Sequence, residues 1–66
     1  MRIEILLREV RINKNYTITK LAQMSGISKG HLSKIERQEV EPSISVLVRI
    51  AMALRVDIKD LYKIVN

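Results

Sequence analysis

The stretch from residue 17 to residue 37 (TITKLAQMSGISKGHLSKIER) restricts the fold more than any other part of the chain. Thr17 and Ser28 each precede an apolar pattern with helical spacing, and a side-chain oxygen at either position can cap the free N–H groups of a following helix. Gly26 comes after the first pattern and can adopt the left-handed backbone conformation that ends a helix. The stretch therefore predicts two short helices joined by a turn of only a few residues.

The second of these helices, which begins at Lys29, is predicted to have two chemically different sides. At about 100° per residue, an apolar side with Leu32 and Ile35 lies opposite a cationic and polar side, and Glu36 lies at the edge of the apolar one. A solvated surface is one interpretation of the cationic side. However, it contains no carboxylate, its basic residues can neutralise phosphates or donate to guanine, and its small residues allow a close approach. It therefore predicts a DNA interface formed by Lys29, Gly30, Ser33, Lys34 and Arg37.

Several segments together resemble a known protein family. In order and spacing they are similar to the helix-turn-helix of phage repressors and Cro, the xenobiotic-response-element family, and most similar to the DNA-binding domains of Sin-type repressors. The matching segments are residues 16–22 (YTITKLA), 25–28 (SGIS), 32–37 (LSKIER), 42–44 (PSI) and 51–54 (AMAL). The resemblance extends from about Leu7 to Leu61. It implies a compact domain like that of λ repressor, which binds double-stranded DNA with its third helix in the major groove.

The resemblance also implies a role for individual side chains near the third helix. The positions that would face bases are Lys29, Gly30, His31 and Lys34. The positions that would contact the sugar-phosphate backbone are Thr19, Ser28 and Arg37. Ser33 joins the base-contacting set because it lies on the cationic side of the helix. Long lysine side chains can reach either guanine or phosphate, so the sequence leaves the partner of each lysine open.

Charged residues outside the cationic side carry two further expectations. The family has a counterpart of Arg11 that pairs with a glutamate at the place of Glu36, so the resemblance implies an ion pair between the first and third helices. Two unrelated surface charges are the alternative. In the loop after the third helix, Glu39 and Glu41 would repel phosphate, which means that this loop is held away from the duplex or that the affinity for DNA is lowered.

The whole chain, residues 1–66, is predicted to form one all-α domain of five helices, with the helix-turn-helix motif at about residues 18–37. The first helix should run from about Arg2 to Asn13, the fourth from Ile44 to about Arg55, and the last should begin at Asp57. Apolar residues at helical spacing support the first helix (Ile3, Leu6, Leu7, Val10), the fourth (Ile44, Leu47, Ile50, Ala51, Leu54) and the last (Ile58, Leu61, Tyr62, Val65). No strand-like alternation of any length is apparent.

The net charge of +5 is concentrated in one half of the chain. Residues 1–37 contain eight lysines and arginines against three glutamates, whereas residues 38–66 contain four basic and four acidic residues. Such a concentration suggests an anionic partner, either nucleic acid or acidic lipid. Nucleic acid is favoured because a small fold must bury the apolar faces of its helices, which leaves little to insert into a membrane. With no cysteine and no secretory pattern, we expect a cytoplasmic, nucleoid-associated protein.

Apolar residues are more numerous than one small core can hold, which predicts a protein interface. Because helix-turn-helix proteins often bind two half-sites about 34 to 36 Å apart, we expect a homodimer on a pseudo-palindromic operator. Its interface should involve the last helix, through Leu61, Tyr62, Ile64 and Val65. The alternative is that these residues are simply surface.

The sequence favours a binding protein over an enzyme. His31 is the single histidine and has no cysteine beside it to form a metal site, and the carboxylates have no evident paired arrangement. We expect no cofactor and no small-molecule ligand. The predicted function is a sequence-specific transcriptional regulator, a repressor in the commonest case. An antitoxin or restriction-modification controller that regulates its own operon and a helical protein-interaction adaptor are the alternatives.

Overall fold

The computed structural model describes all of residues 1–66 and contains four α-helices and a two-stranded sheet. The elements in chain order are β1 (Arg2–Ile5), α1 (Leu7–Asn13), α2 (Ile18–Ser25), α3 (Lys29–Glu36), α4 (Ile44–Leu54), a short 3₁₀ helix (Ile58–Leu61) and β2 (Tyr62–Val65). The strands are antiparallel, so the two ends of the chain lie side by side. The helices enclose one core, whose fully buried members are Leu7, Leu21, Leu32, Ile35, Ile50, Leu54 and Leu61.

The expectation of an all-α fold with five helices is wrong at both ends of the chain. The first helix begins at Leu7 instead of Arg2, and the predicted last helix is one turn of 3₁₀ helix followed by a strand. In the sheet Ile3 lies opposite Ile64 and Ile5 lies opposite Tyr62. Side chains alternate across a strand, so these four apolar residues share one face, and the charged residues between them share the other. This face packs against the core at Ile5 and Tyr62, which favours the strands over helical continuations.

The predicted starts of α2, α3 and α4 are confirmed by their capping hydrogen bonds. The side-chain oxygen of Thr17 accepts from the backbone N–H of Lys20 at 3.0 Å. Ser28 accepts in the same way from His31 at 3.2 Å, and Ser43 accepts from the third residue after it at 3.2 Å. Each bond satisfies one of the N–H groups that a helix leaves free at its start, which fixes where α3 begins and which side chains it presents.

A residue with a left-handed backbone conformation follows each of the four α-helices. These residues are Asn15 (φ 62°), Gly26 (φ 73°), Gln38 (φ 63°) and Arg55 (φ 58°). The sequence predicted this conformation at Gly26. Only Gly26 adopts it without the steric cost of a Cβ atom, which amounts to about 1 to 2 kcal/mol for an ordinary residue.

The two glycines of the chain should respond in opposite ways to alanine. Gly26→Ala is expected to lower the free energy of unfolding by about 1 to 2 kcal/mol, because the residue keeps a positive φ. In addition, the new Cβ would lie 2.6 Å from Nη2 of Arg49, which donates to the Gly26 carbonyl. Gly30→Ala is the matched control: it lies inside α3 with nothing within 4 Å, so it should raise that free energy by about 0.5 to 1 kcal/mol. Urea denaturation measures the free energy of unfolding of both variants. Equal changes in the two would contradict the left-handed conformation assigned to Gly26.

The side chain of Gln38 joins the end of α3 to the free edge of β1. Its Oε1 accepts from the backbone N–H of Ile5 at 3.0 Å, and its Nε2 donates to the carbonyl of the same residue at 2.7 Å. The amide thus occupies the place of a neighbouring strand at one residue of the edge. This contact holds the loop after α3 against the sheet.

Candidate nucleic-acid interface

The cationic side of α3 that was predicted to contact DNA, here called the recognition surface, is exposed. The opposite side of the helix packs in the core. Leu32 and Ile35 are completely buried. Ser33 is half-buried, and the other predicted base-contacting residues are exposed; these are Lys29, Gly30, His31 and Lys34. The predicted backbone-contacting residues Thr19, Ser28 and Arg37 are exposed as well. The fold therefore presents this set of side chains at the surface, and their contacts with DNA stay predictions.

The two lysines of the recognition surface have no acidic partner. The ion pairs of the structure join Arg2 and Lys63 to Glu4, Arg11 to Glu36, and Arg37 to Glu39. Lys29 and Lys34 belong to none of them. Since an added Cβ at Gly30 would meet nothing, the surface between the lysines is also open. The charge of Lys34 contributes to the lowered pKa of Glu39, but neither lysine is bound in an ion pair. Positive charge that is free of an ion pair and lies beside open space favours a close approach to a polyanion.

Arg11 and Glu36 form the ion pair that was expected between the first and third helices. The carboxylate accepts from Nε at 2.6 Å and from Nη2 at 3.1 Å, and Nη1 donates to the carbonyl of Tyr16 at 2.8 Å. The two side chains are only 14% and 8% exposed. The hydrogen bond to Glu36 raises the pKa of the Arg11 guanidinium, and the charge of Glu36 acts in the same direction. The pair ties α1 to the end of α3 and so fixes the orientation of the recognition surface.

Arg37 has a partner that the sequence did not predict. Its Nε donates to Oε2 of Glu39, and Nη2 lies 3.5 Å from Oε1 of the same carboxylate. The hydrogen bond from Arg37 lowers the pKa of Glu39. Both side chains are about half exposed. The carboxylate that was expected to repel phosphate from the loop therefore binds the very arginine that was predicted to contact the DNA backbone.

A notch between α1 and α3 adjoins the recognition surface. It has a volume of about 390 Å³ and is lined by Arg8, Ser33, Glu36 and Arg37, with no apolar residue. Arg8 is exposed and takes part in none of the ion pairs. Sequence reasoning did not single out Arg8, although a basic residue one helical turn before Arg11 could have suggested it.

The expected dimer interface has to be corrected at Leu61. This residue is completely buried in the core of its own chain, where the 3₁₀ helix packs against the helices, so it cannot contact a second subunit. No C-terminal helix exists to form the interface. Tyr62 and Val65 are half-buried and Ile64 is 63% exposed. Ile44, which was expected in the core, is 72% exposed and lines an apolar groove of about 380 Å³ beside the sheet.

The structure contains neither a cluster of metal ligands nor a membrane-spanning helix. No group of three or more histidine, cysteine, aspartate or glutamate side chains is arranged to hold a metal ion. None of the helices combines the length and the apolar character needed to cross a bilayer. The features that remain are the cationic surface of α3, the notch beside it and the apolar face of the sheet.

Comparison with known proteins agrees with this geometry. The family HTH_3 (Helix-turn-helix) matches residues 7–61. The HTH-type transcriptional regulator SlrR of Bacillus subtilis (strain 168) is 40% identical over 58 residues, and SinR of the same strain is 34% identical over 56 residues. These alignments cover 86% and 83% of this chain but only 38% of SlrR and 50% of SinR, so the chain spans half or less of these relatives.

A solved structure matches the fold over most of its length. The restriction-modification controller protein C.AhdI from Aeromonas hydrophila superposes with a TM-score of 0.79 at 28% identity. The superposition covers 82% of each chain. The similarity therefore extends beyond the helix-turn-helix motif to the arrangement of the helices around it.

Proposed function

The chain belongs to the helix-turn-helix family HTH_3 of transcriptional regulators, and from that premise we propose that it binds double-stranded DNA sequence-specifically through the major groove with α3. The observation that carries the proposal is the pair of exposed lysines, Lys29 and Lys34, which have no acidic partner on a helix whose other side is fixed in the core. A fixed helix can hold donors in register with base edges, whereas a free cationic segment would bind DNA without selecting a sequence.

The base-contacting set of the proposal is Lys29, Gly30, His31, Ser33 and Lys34. The backbone contacts are assigned to Thr19, Ser28 and Arg37. Lysine donors suit guanine O6 and N7, and Gly30 leaves room for a base edge or a thymine methyl group. Bound at a promoter in the cytoplasm, such a domain represses transcription by occluding the polymerase.

We further propose that the protein binds a pseudo-palindromic operator as a homodimer. The apolar face of the sheet supports this, because Ile3 and Ile64 lie opposite each other and are 39% and 63% exposed. Tyr62 and Ile64 are then the interface residues, whereas Val65 pairs with Arg2 on the other face of the sheet and is left out of this proposal. Such a dimer has to present its two recognition helices at successive turns of the duplex.

A second candidate function is a controller protein that regulates its own operon. The superposition on C.AhdI favours it, because that similarity covers most of both chains. Both functions require DNA binding and differ only in where the binding site lies. An adaptor that binds a partner protein through the apolar groove, without DNA, is the contrasting possibility.

Selection from a pool of random duplex DNA tests the proposal. The expected result is a shared motif with two related half-sites whose centres are about 34 to 36 Å apart. Light scattering on the purified protein should give the mass of two chains, alone or on the selected duplex. Selected duplexes without a common motif would overturn sequence-specific binding, and a motif with a single half-site bound by one chain would overturn the dimer alone.

A further inference from the structure

The notch between α1 and α3 contains an arginine, Arg8, that the proposed function does not use. Arg8 enters it from the first turn of α1, and Arg37 enters it from the end of α3. Glu36 also lines it, but both oxygens of that carboxylate are already hydrogen-bonded to Arg11. Two arginines therefore face an open, polar space in which the one carboxylate on the wall is neutralised by a bidentate partner.

The shape and lining of the notch suit an oxyanion better than a base. No apolar or aromatic residue lines it, so it offers no surface on which a base could stack. An arginine guanidinium carries several N–H donors in a planar fork that matches the oxygens of a phosphate group. Ser33, half-buried on the same wall, adds a hydroxyl donor. The position beside the exposed side of α3 is where the backbone of a duplex in contact with that helix would pass.

Glu39 forms an ion pair with one of these arginines, Arg37, in the protein without DNA. Its carboxylate accepts from Nε of Arg37, and it comes from the loop immediately after α3. The pair is exposed, with 57% of the arginine side chain and 49% of the glutamate side chain accessible. An exposed ion pair contributes little to stability and exchanges readily for another partner. Glu39 does not line the notch itself, so Arg37 can exchange this carboxylate for an external oxyanion bound in the notch.

We propose that the notch binds one phosphodiester group of the DNA backbone through Arg8 and Arg37, and that Glu39 holds Arg37 until this phosphate displaces it. The inference rests on the proposed DNA binding and adds to it a contact on α1. A phosphate contact carries no sequence information, so the notch sets the position of the domain on the duplex and the strength of binding. Glu39 lowers the affinity for DNA, because Arg37 must break its ion pair with Glu39 before it binds the phosphate.

The first arm of the test is Arg8→Gln, with Lys59→Gln as the matched control. Lys59 lies in the 3₁₀ helix, outside the recognition surface and the notch, so its loss removes one charge without removing the proposed contact. Arg8→Gln should weaken binding to the selected duplex and to random duplex by the same factor, about tenfold. The slope of log affinity against log salt, measured between about 50 and 200 mM, should fall by about 0.9. Lys59→Gln should leave the slope nearly unchanged.

The second arm is Glu39→Gln, with Glu41→Gln as the matched control. Both substitutions remove one carboxylate from the same loop, but Glu41 makes no ion pair. Glu39→Gln should therefore tighten binding several-fold more than Glu41→Gln does. In an Arg37→Gln background the difference between the two substitutions should shrink to what the attraction between Glu39 and Lys34 contributes, because Glu39 then has no guanidinium to bind. Circular dichroism checks that each variant keeps its helices.

A duplex with a neutral methylphosphonate at one backbone position identifies the ligand. At one position the substitution should weaken wild-type binding about tenfold and leave Arg8→Gln unaffected. Unchanged affinity and salt slope for Arg8→Gln on a selected motif would overturn the proposed phosphate site in the notch and leave the proposed function intact. Competition by inorganic phosphate with no methylphosphonate effect would also overturn it, in favour of a free-anion site. Absence of any duplex binding by the wild-type protein would overturn both proposals.

Discussion

Joint replacement of Lys29 and Lys34 by alanine is expected to abolish recognition of the selected motif while leaving the fold intact. A good side-chain contact to a base edge contributes about 1 to 3 kcal/mol of discrimination, so two such contacts together contribute about 2 to 6 kcal/mol. Both side chains are exposed and unpaired, which means that their removal creates no cavity and leaves no buried charge. Fluorescence anisotropy with the selected duplex and with a scrambled duplex measures the ratio of affinities.

The control for this variant is the joint replacement of Lys59 and Lys63 by alanine. These substitutions also remove two positive charges, but from the 3₁₀ helix and β2, which lie outside the helix-turn-helix. The control should lower both affinities slightly and leave their ratio unchanged, because only long-range attraction is reduced. If the first variant also lowers both affinities equally, then the lysines contact phosphates and other residues of α3 read the bases.

Local signals in the sequence predicted the centre of the fold. The hydroxyl caps at Thr17, Ser28 and Ser43 act within three residues, and the left-handed turn at Gly26 follows from the absence of a Cβ atom. Such interactions depend on neighbours in the chain, so a sequence pattern is enough to place them. The same reasoning placed α3 with its cationic side exposed and its apolar side in the core.

Pairing between residues far apart in the chain explains why the secondary structure predicted for the two chain ends was wrong. Ile3 and Ile5 fit a helical stripe as well as a strand, since a strand of four residues has too few positions to separate the two periods. The strand exists because β2 lies beside it, at the other end of the chain. Leu61 was misplaced for the same reason: once the last segment is a strand, the residue before it turns into the core.

The features of the site that sequence reasoning missed depend on three-dimensional neighbours. Arg8 becomes part of a notch only because α1 packs beside the end of α3. Glu39 was recognised as a charge that opposes phosphate, but its hydrogen bonds to Arg37 depend on the turn at Gln38, which has a positive φ. That turn depends in part on the hydrogen bonds between the Gln38 side chain and β1. One unpredicted strand therefore shapes the loop beside the recognition surface.

Loss of one partner of the Arg11–Glu36 pair is expected to be the most destabilising change of a charged residue. Arg11→Met should lower the free energy of unfolding by about 3 kcal/mol, because it leaves a carboxylate that is only 8% exposed without its bidentate donor. It also removes the donor to the Tyr16 carbonyl. The exposed Arg2–Glu4 pair, with a separation of 3.7 Å, is the matched control, and Arg2→Met should change that free energy by less than about 0.5 kcal/mol.

The double variant Arg11→Met/Glu36→Leu separates the cost of an unpaired charge from the contribution of the pair itself. If most of the loss in Arg11→Met comes from the stranded carboxylate, replacement of both partners by apolar residues should restore most of the stability. Urea denaturation of the four proteins completes the cycle. A double variant as unstable as Arg11→Met would mean that the hydrogen bond to Tyr16, rather than the carboxylate, accounts for the loss. In either case DNA affinity should fall with Arg11→Met, because the pair holds the end of α3 against α1 and so sets the orientation of Lys34, the proposed base-contacting residue.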